Sequence, residues 1–531
     1  MPFRSTAWNV SGDGALTFRA ANQLGSNVNL ALNTANTWGY IKLFGNSQTI
    51  GNILTTNNAD YTVIENTEGE GGYGNSTLTI VQNTNVSYSG FIRSGGSGML
   101  SIAQIGSATL TYLGSVITYT GTTLISGGAI QIGNGGTNGS IGNGLITVTN
   151  SGHLILNQLS AYTLVNTVAG NGSLIQTGPG IVTMTASNNS YTGGTFVDAG
   201  STLIVGNGST GSIGSGAITN NGQLTFNVPK TLTLSGVSGT GSLTQDGTGT
   251  LIFGGGNTYT GLTTINVSGT LQIGTNGASG SMPLGSIVDT GTLQFSVTGP
   301  ISFTNFVSGT GVLKQSGSGT TTITGSNSYS GILTIGTTNN YFYPANMNFK
   351  VGNAYTIPYA SGIAFGTNSS GSTSTLDLNG ISINIGVFSG GGNAYATSTL
   401  SGSPTLTVGL NNVSSSFGGT IQNGSATVSL AKTGTGTFTL SNVNTFTGGT
   451  IVNNGTLVLN DVAANGNGVI RGSLTVNTND TVILTNGSSA LGYTTGAQVT
   501  NLVINQGSVI APGTQHLFMQ AGQPAGNVTL S

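Results

Sequence analysis

A phrase of the form aromatic-Ser/Thr-Gly returns through this chain at a nearly fixed interval. It reads Tyr119-Thr120-Gly121, Tyr191-Thr192-Gly193, Tyr259-Thr260-Gly261 and Tyr329-Ser330-Gly331, and comes back as Phe446-Thr447-Gly448 after an interruption. Upstream of three copies lies Gly-x-Gly-x-Leu, at Gly170 to Leu174, Gly239 to Leu243 and Gly309 to Leu313, in almost even spacing. A constant period of this kind means stacked units, each burying its apolar side against its neighbours.

Two recurring strands give the side-chain facing. The first reads Gly152-His153-Leu154-Ile155-Leu156-Asn157, Gly222-Gln223-Leu224-Thr225-Phe226-Asn227 and Gly291-Thr292-Leu293-Gln294-Phe295-Ser296. The Leu and Leu/Phe positions stay apolar while those between and before them accept His, Gln, Thr or Ile, the period-2 pattern of a strand with one wet face. Leu154, Leu156, Leu224, Phe226, Leu293 and Phe295 are therefore expected inside, stacked on their equivalents from copy to copy. The second strand recurs as Ser201-Thr202-Leu203-Ile204-Val205-Gly206, Gly269-Thr270-Leu271-Gln272-Ile273-Gly274 and Gly455-Thr456-Leu457-Val458-Leu459-Asn460. Short strands ending in Gly or Asn, with no capped helical period between them, predict an all-β parallel solenoid.

Composition closes off other classes. Only 20 of 531 residues are charged (9 Lys+Arg and 11 Asp+Glu, net charge -2), against 91 glycines, so the chain is neither a basic nucleic-acid binder nor an acidic tail. Disorder is excluded by the 36% of residues that are hydrophobic and fall in regular short runs. With no cysteine there are no disulfides or thiolate metal sites, and no run approaches the roughly 18 to 20 apolar residues of a membrane span. Met1 to Val10 has no apolar signal core, which suggests an excised piece or another export route.

A larger duplication divides the chain. Leu43-Phe44-Gly45 through Ile50-Gly51 matches Leu378-Asn379-Gly380 through Ile385-Gly386, and Tyr88-Ser89-Gly90 matches Phe417-Gly418-Gly419. The expected organisation is a start or cap at 1-42, a first repeat module at 43-339, a junction or insertion at 340-377 and a second module with tail at 378-531.

The stretch Leu430-Ala431-Lys432-Thr433-Gly434-Thr435-Gly436-Thr437-Phe438-Thr439-Leu440, running on through Phe446-Thr447-Gly448-Gly449-Thr450 to Asn454-Gly455-Thr456-Leu457, closely resembles the autotransporter-associated β-strand repeat. Weaker copies cover roughly residues 40 to 460. The resemblance implies a right-handed parallel β-helix in the extracellular space or on the bacterial cell surface, and says little about activity.

Residues that could carry chemistry are few. His153 takes the slot of Gln223 and Thr292 in sister copies and reads as a solvated outward side chain, and His516 has no acidic neighbour. A polysaccharide-cleaving β-helix needs paired carboxylates, or acids holding a cation beside a base. Here Asp198, Asp246, Asp289, Asp377, Asp461 and Asp480 are isolated in sequence, although stacking could pair residues one coil apart. Asp60, Glu65, Glu68 and Glu70 form the one local acidic group; calcium binding is an option, and a solvated loop the simpler reading. Gly206-Asn207-Gly208-Ser209-Thr210-Gly211 satisfies a dinucleotide fingerprint, but no helix follows it. With its sisters, Gly133 to Gly144 and Gly274 to Gly285, it predicts a row of polar loops on one face. The repeated Tyr reads as packing under a turn, because Phe446 and Phe417 replace it.

The reading is a non-enzymatic structural rod without cofactor or metal. At about 20 residues per coil and ~4.8 Å per rung its length is on the order of 120 Å. It self-associates head-to-tail or laterally into a fibre or sheath, with Trp8 and Trp38 closing one end and strands near Leu16, Phe18, Leu502 and Ile504 outermost. The alternatives are an adhesin that meets surface glycans or neighbouring cells through the loop row, and a polysaccharide-active enzyme.

Overall fold

A computed structural model describes residues 7–530 except 11–13, 33–36, 56–58, 67–72, 235, 337–345, 360, 367–370, 463–467, 486–489, 493–497 and 512–526. It forms two compact units, Met1–Leu251 with Gly256–Leu262, and Ile252–Gly255 with Thr263–Ser531. Both are parallel β-solenoids, and no α-helix occurs among the described residues.

In the first unit the chain climbs one rung per coil. Leu110 pairs with Ile130, Ile130 with Leu154 and Leu154 with Leu174, all in parallel register. The second unit repeats the pattern, Thr437 pairing with Thr456 and Thr456 with Thr481. Strands alternate buried side chains with more exposed ones, as Gln223–Phe226 and Thr292–Phe295 show, because a period of 2 sends every second residue into the coil. Leu154, Leu156, Phe226, Leu293 and Phe295 are fully buried and Leu224 nearly so, as their spacing predicts.

The columns are not made as the period suggests. Leu154 stacks on Ile130 and Leu174, whereas its sister Leu224 stacks on Leu203 and Leu243 in a different sheet. Three coils from Leu154, by way of Leu174 and Thr195, reach only Ile218, while the sequence repeat places the sister further on, at Leu224. Each copy therefore overshoots whole coils and delivers its motif to the next side of the solenoid. Stacking of equivalents and a loop row on one face both fail for this reason: the loops after Ala129–Ile132 and Thr202–Val205 leave from different sheets.

The first glycine of Gly-x-Gly-x-Leu is required twice over. Gly170 and Gly239 have φ of 103° and 107°, and a Cβ there would meet the carbonyl oxygen of Val148 or Asn220 at 2.0 or 2.1 Å. Phe44 and Gly45 have φ of 48° and 78°, and Asn379 and Gly380 have 54° and 76°.

Within 340–377, Met347–Val351 ladders with Thr320–Ile323 and Ser374–Asp377, and Gly362–Phe365 with Ile332–Ile335, so these strands are ordinary rungs; residues 340–345 lie outside the described ones. Two terminal expectations need correction. Trp38 closes no end, because the adjoining strand Gly39–Lys42 is laddered on both sides. Leu502 and Ile504 are not outermost, because Val499–Ile504 pairs with both Gly472–Val476 and Asn527–Leu530.

Candidate functional site

The repeat residues with the most chemistry are spent on the fold. Tyr119, Tyr191, Tyr259 and Tyr329 are fully buried, as are Phe417 and Phe446. Tyr119 and Tyr191 each share a hydrogen bond with a threonine of the following strand, Thr123 and Thr195, at 2.6 and 2.7 Å, and desolvation raises both phenols well above their ordinary range. A second device recurs at the end of the Gly-x-Gly-x-Leu strand, where one buried glutamine amide donates to two carbonyls of the following Gly turn. Gln176 reaches Gly178 and Gly180 at 2.9 Å each, Gln245 reaches Gly247 and Gly249, and Gln315 reaches Gly317 and Gly319. Lys432 takes the same slot and donates to Thr433, Gly434 and Asn454 at 2.8, 2.7 and 2.9 Å. Burial lowers its pKa to about 8, with Asp480 acting in the opposite direction.

The acids occupy separate settings. Asp198 and Asp246 are exposed, Asp246 where its slot predicts. Asp377 lies 3.9 Å from Lys350 and accepts from Thr399. Asp461 and Asp480 are buried. Asp289 is fully buried: its Oδ1 accepts from the Gly291 amide at 3.0 Å, its Oδ2 has no partner, and desolvation raises its pKa to about 7. His153 is half-buried on its strand, with Nδ1 2.6 Å from Ser173 Oγ; His516 lies outside the described residues.

The loop at Gly206–Gly211 closes on itself. Asn207 Oδ1 accepts from the amides of Ser209 and Thr210, and the Gly208 amide donates to Asn227, so these donors are already used rather than aimed at a phosphate.

Of the acidic group, Glu65 departs from the solvated-loop reading. Glu65 ends the strand Thr62–Glu65, is fully buried, and lies 2.8 Å from Arg93 and 3.8 Å from Lys42. Lys42, Glu65 and Arg93 share one ladder column on three successive rungs, so like charges never adjoin. Asp60 is exposed in a 3-10 turn, while Glu68 and Glu70 lie outside the described residues. No group of three His, Cys, Asp or Glu placed to hold a metal occurs among the described residues.

Two residues before that charged column stand Tyr40, Val63 and Phe91. Trp38, 40% exposed, packs 6.3 Å from Tyr40, 5.5 Å from Tyr61 and 5.6 Å from Phe91 between ring centroids. Phe91 also lines a cleft of about 390 Å³ with Asp60, Ser89, Ser115, Val116 and Asn138 among its walls. Sequence reasoning missed this place, which precedes the regular period; Trp38, Tyr40, Tyr61 and Phe91, interleaved with Lys42, Asp60, Glu65 and Arg93 in a chain with only 20 charges, were the available signal.

Four stretches match the Passenger-associated-transport-repeat family: residues 174–205, 243–273, 313–338 and 430–459. The first runs from Leu174 in the glutamine-ended strand, through the turn and the Tyr191 corner, past Thr195, which stacks on Leu174 one coil on, to Val205, about one and a half coils. Among curated proteins, the adhesin BmaC autotransporter of Brucella suis biovar 1 (strain 1330) is 33% identical over 219 residues, covering 33% of this chain. The chain spans 6% of that relative's length. No solved structure matches. No helix among the described residues is long and apolar enough to cross a membrane. Repeats and relative together indicate a bacterial cell-surface or extracellular location. With its recurring unit identified and its strands laddered coil on coil, the chain is a parallel β-solenoid that carries passenger-associated transport repeats and is similar over part of its length to an autotransporter adhesin.

Proposed function

We propose that this passenger section serves a surface adhesin as a non-enzymatic β-solenoid that holds a binding surface away from the cell. One observation carries the reading: the repeat's polar residues, from Gln176 and Tyr191 to Lys432, are turned inward and consumed by the turns they hold. The repeats thus build a stiff support, and recognition falls to residues outside the repeat slots. The adhesin relative points the same way. Displaying the chain on a non-adherent bacterium and counting attached cells on host-cell and bacterial layers tests this. Adhesion above an empty display vector supports it; equal counts on every surface refute it.

A second reading, lateral self-association into a fibre or sheath, has the exposed apolar side chains Leu159, Val165, Ile181 and Phe196 of the first unit in its favour. With 4% charged residues, little electrostatic repulsion opposes such contact. Sedimentation velocity over a concentration series separates the readings: a mass that grows with concentration and changes little with salt supports assembly, and a constant monomer mass removes it.

A further inference from the structure

The aromatic surface of the first unit has the composition of a ligand site rather than of a rung. On the same and the following coils, the rings of Tyr88, Tyr112 and Tyr119 are all fully covered. Trp38 instead keeps 40% of its surface in water, and Tyr40, Tyr61 and Phe91 around it are only half-buried. Leaving such rings in water gives up the stabilisation of burying them, and packing alone supplies no reason to gather them there.

We propose that this surface binds an uncharged saccharide, with a sugar ring on the Trp38 and Phe91 side and its hydroxyls in the adjoining cleft. Three features select this chemistry. First, sugar rings offer C–H faces to an aromatic ring and hydroxyls to polar groups around it, and the walls combine Phe91 and Val116 with Asp60, Ser89, Ser115 and Asn138. Second, the volume of about 390 Å³ suits a small ligand and not a protein segment. Third, the charge arrangement disfavours an anion. Asp60 stands in the wall, while the nearest cations, Arg93 and Lys42, are drawn onto Glu65 at 2.8 and 3.8 Å.

The ladder explains why the site is rigid. Asp60 precedes Val63, which pairs with Phe91; Ile92 bridges to Ile117, beside Ser115 and Val116; and Ser140, just after Asn138, donates to the Gly114 carbonyl and accepts from the Ile117 amide. Four successive coils thus each contribute to one wall. At ~4.8 Å per rung they span on the order of 14 Å, which suits a short oligosaccharide lying along the solenoid. Below, the Lys42–Glu65–Arg93 column fixes the register of the three strands that carry or adjoin the rings.

This deepens the adhesin reading and rests on it for the source of the sugar, not for the binding. The test uses the full chain carrying Trp8→Phe, so that Trp38 is the one remaining tryptophan, since the sequence holds two. Free neutral trisaccharides built of glucose, galactose, mannose or N-acetylglucosamine are titrated while Trp38 emission is followed, with a sialylated trisaccharide as the charged contrast. The expected result is a saturable emission shift with at least one neutral sugar and a weaker one with the sialylated sugar. Calorimetry on the otherwise native chain should then show binding weakened about tenfold by Trp38→Ala and by Phe91→Ala, and restored in part by Trp38→Phe. Unchanged melting of each variant shows that the fold is intact. No response to any neutral sugar at millimolar concentration, or full affinity in both alanine variants, overturns the proposal. Adhesion assays keep the two ideas apart: a displayed chain that adheres while the purified chain binds no neutral sugar sinks the site and spares the adhesin, whereas sugar binding without adhesion does the reverse.

Discussion

Replacing Asp289 by asparagine gives the buried carboxylate of the second unit the side chain that its sister slot already holds. In the first unit Asn220 Oδ1 accepts from the Gly222 amide at 3.2 Å and its Nδ2 donates to the Ser242 carbonyl at 2.8 Å. Asp289 keeps the first bond, to Gly291 at 3.0 Å, but has no amide with which to make the second, and its Oδ2 is buried without a partner. Burial therefore favours the neutral acid, raising the pKa from 3.8 to about 7. The sign follows from which state takes up protons. Below about pH 4 the acid is protonated whether folded or unfolded and costs nothing. Between about 4 and 7 the unfolded chain ionises while the folded one resists, so stability falls as pH rises, and above about 7 the loss is complete. Roughly three pKa units at about 1.4 kcal/mol each put that loss near 4 kcal/mol as an upper figure. The Asp289→Asn side chain escapes it and gains a donor for the Val312 carbonyl, which corresponds to that of Ser242.

Because a solenoid opens locally, the effect should be read both globally and at the site. Melting temperatures of parent and variant should converge near pH 4 and separate progressively to pH 8, the variant being the more stable. Hydrogen exchange in the peptide spanning 285–315 should slow in the variant at pH 8 and match the parent at pH 4. An Asp289→Asn protein no more stable than the parent at pH 8, or a difference that does not vary with pH, refutes the reasoning.

Leu224→Asp buries an unpaired charge between Leu203 and Leu243 and should lower stability by several kcal/mol, measured by urea unfolding of the first unit's signals. Gln176→Leu keeps the volume near that of glutamine but strips the donors from the carbonyls of Gly178 and Gly180; a loss of about 2 to 4 kcal/mol is expected in the same assay, and no loss would dismiss the turn-holding role. His153→Gln should be nearly silent, within about 0.5 kcal/mol, because the side chain is half exposed and a glutamine amide can still reach Ser173; a larger loss by thermal melting would mean that the imidazole has a role the ladder does not show.

Much of the fold was legible because each strand states its own facing. Leu154 and Leu156, flanked by His153 and Ile155, can be placed inside from a short run of alternation, since a strand has only two faces. The rotation of successive repeats was not legible. It depends on the difference between the repeat, which runs from Leu154 to Leu224, and three coils, which run from Leu154 only to Ile218. Coil length is set by corner geometry that no single motif encodes. Gln176 was overlooked for a related reason: a polar residue at a strand's end reads as outward, whereas the Gly turn beyond it folds back and presents its carbonyls to the interior.

Glu65 was misplaced because its two partners, Lys42 and Arg93, lie far off in sequence and enter only once the rungs stack. The same stacking gathers Trp38, Tyr61 and Phe91, which no window of the sequence brings together. Repetition thus reveals what supports the solenoid, and exceptions to it reveal where something else is happening: an aspartate in an asparagine slot, a lysine in a glutamine slot, and aromatic rings on the wet side of the first coils. The first two lie inside the solenoid, one with its pKa raised by burial and the other held by three carbonyls. Only the third faces outward, and for that reason it is the exception from which a binding partner is sought.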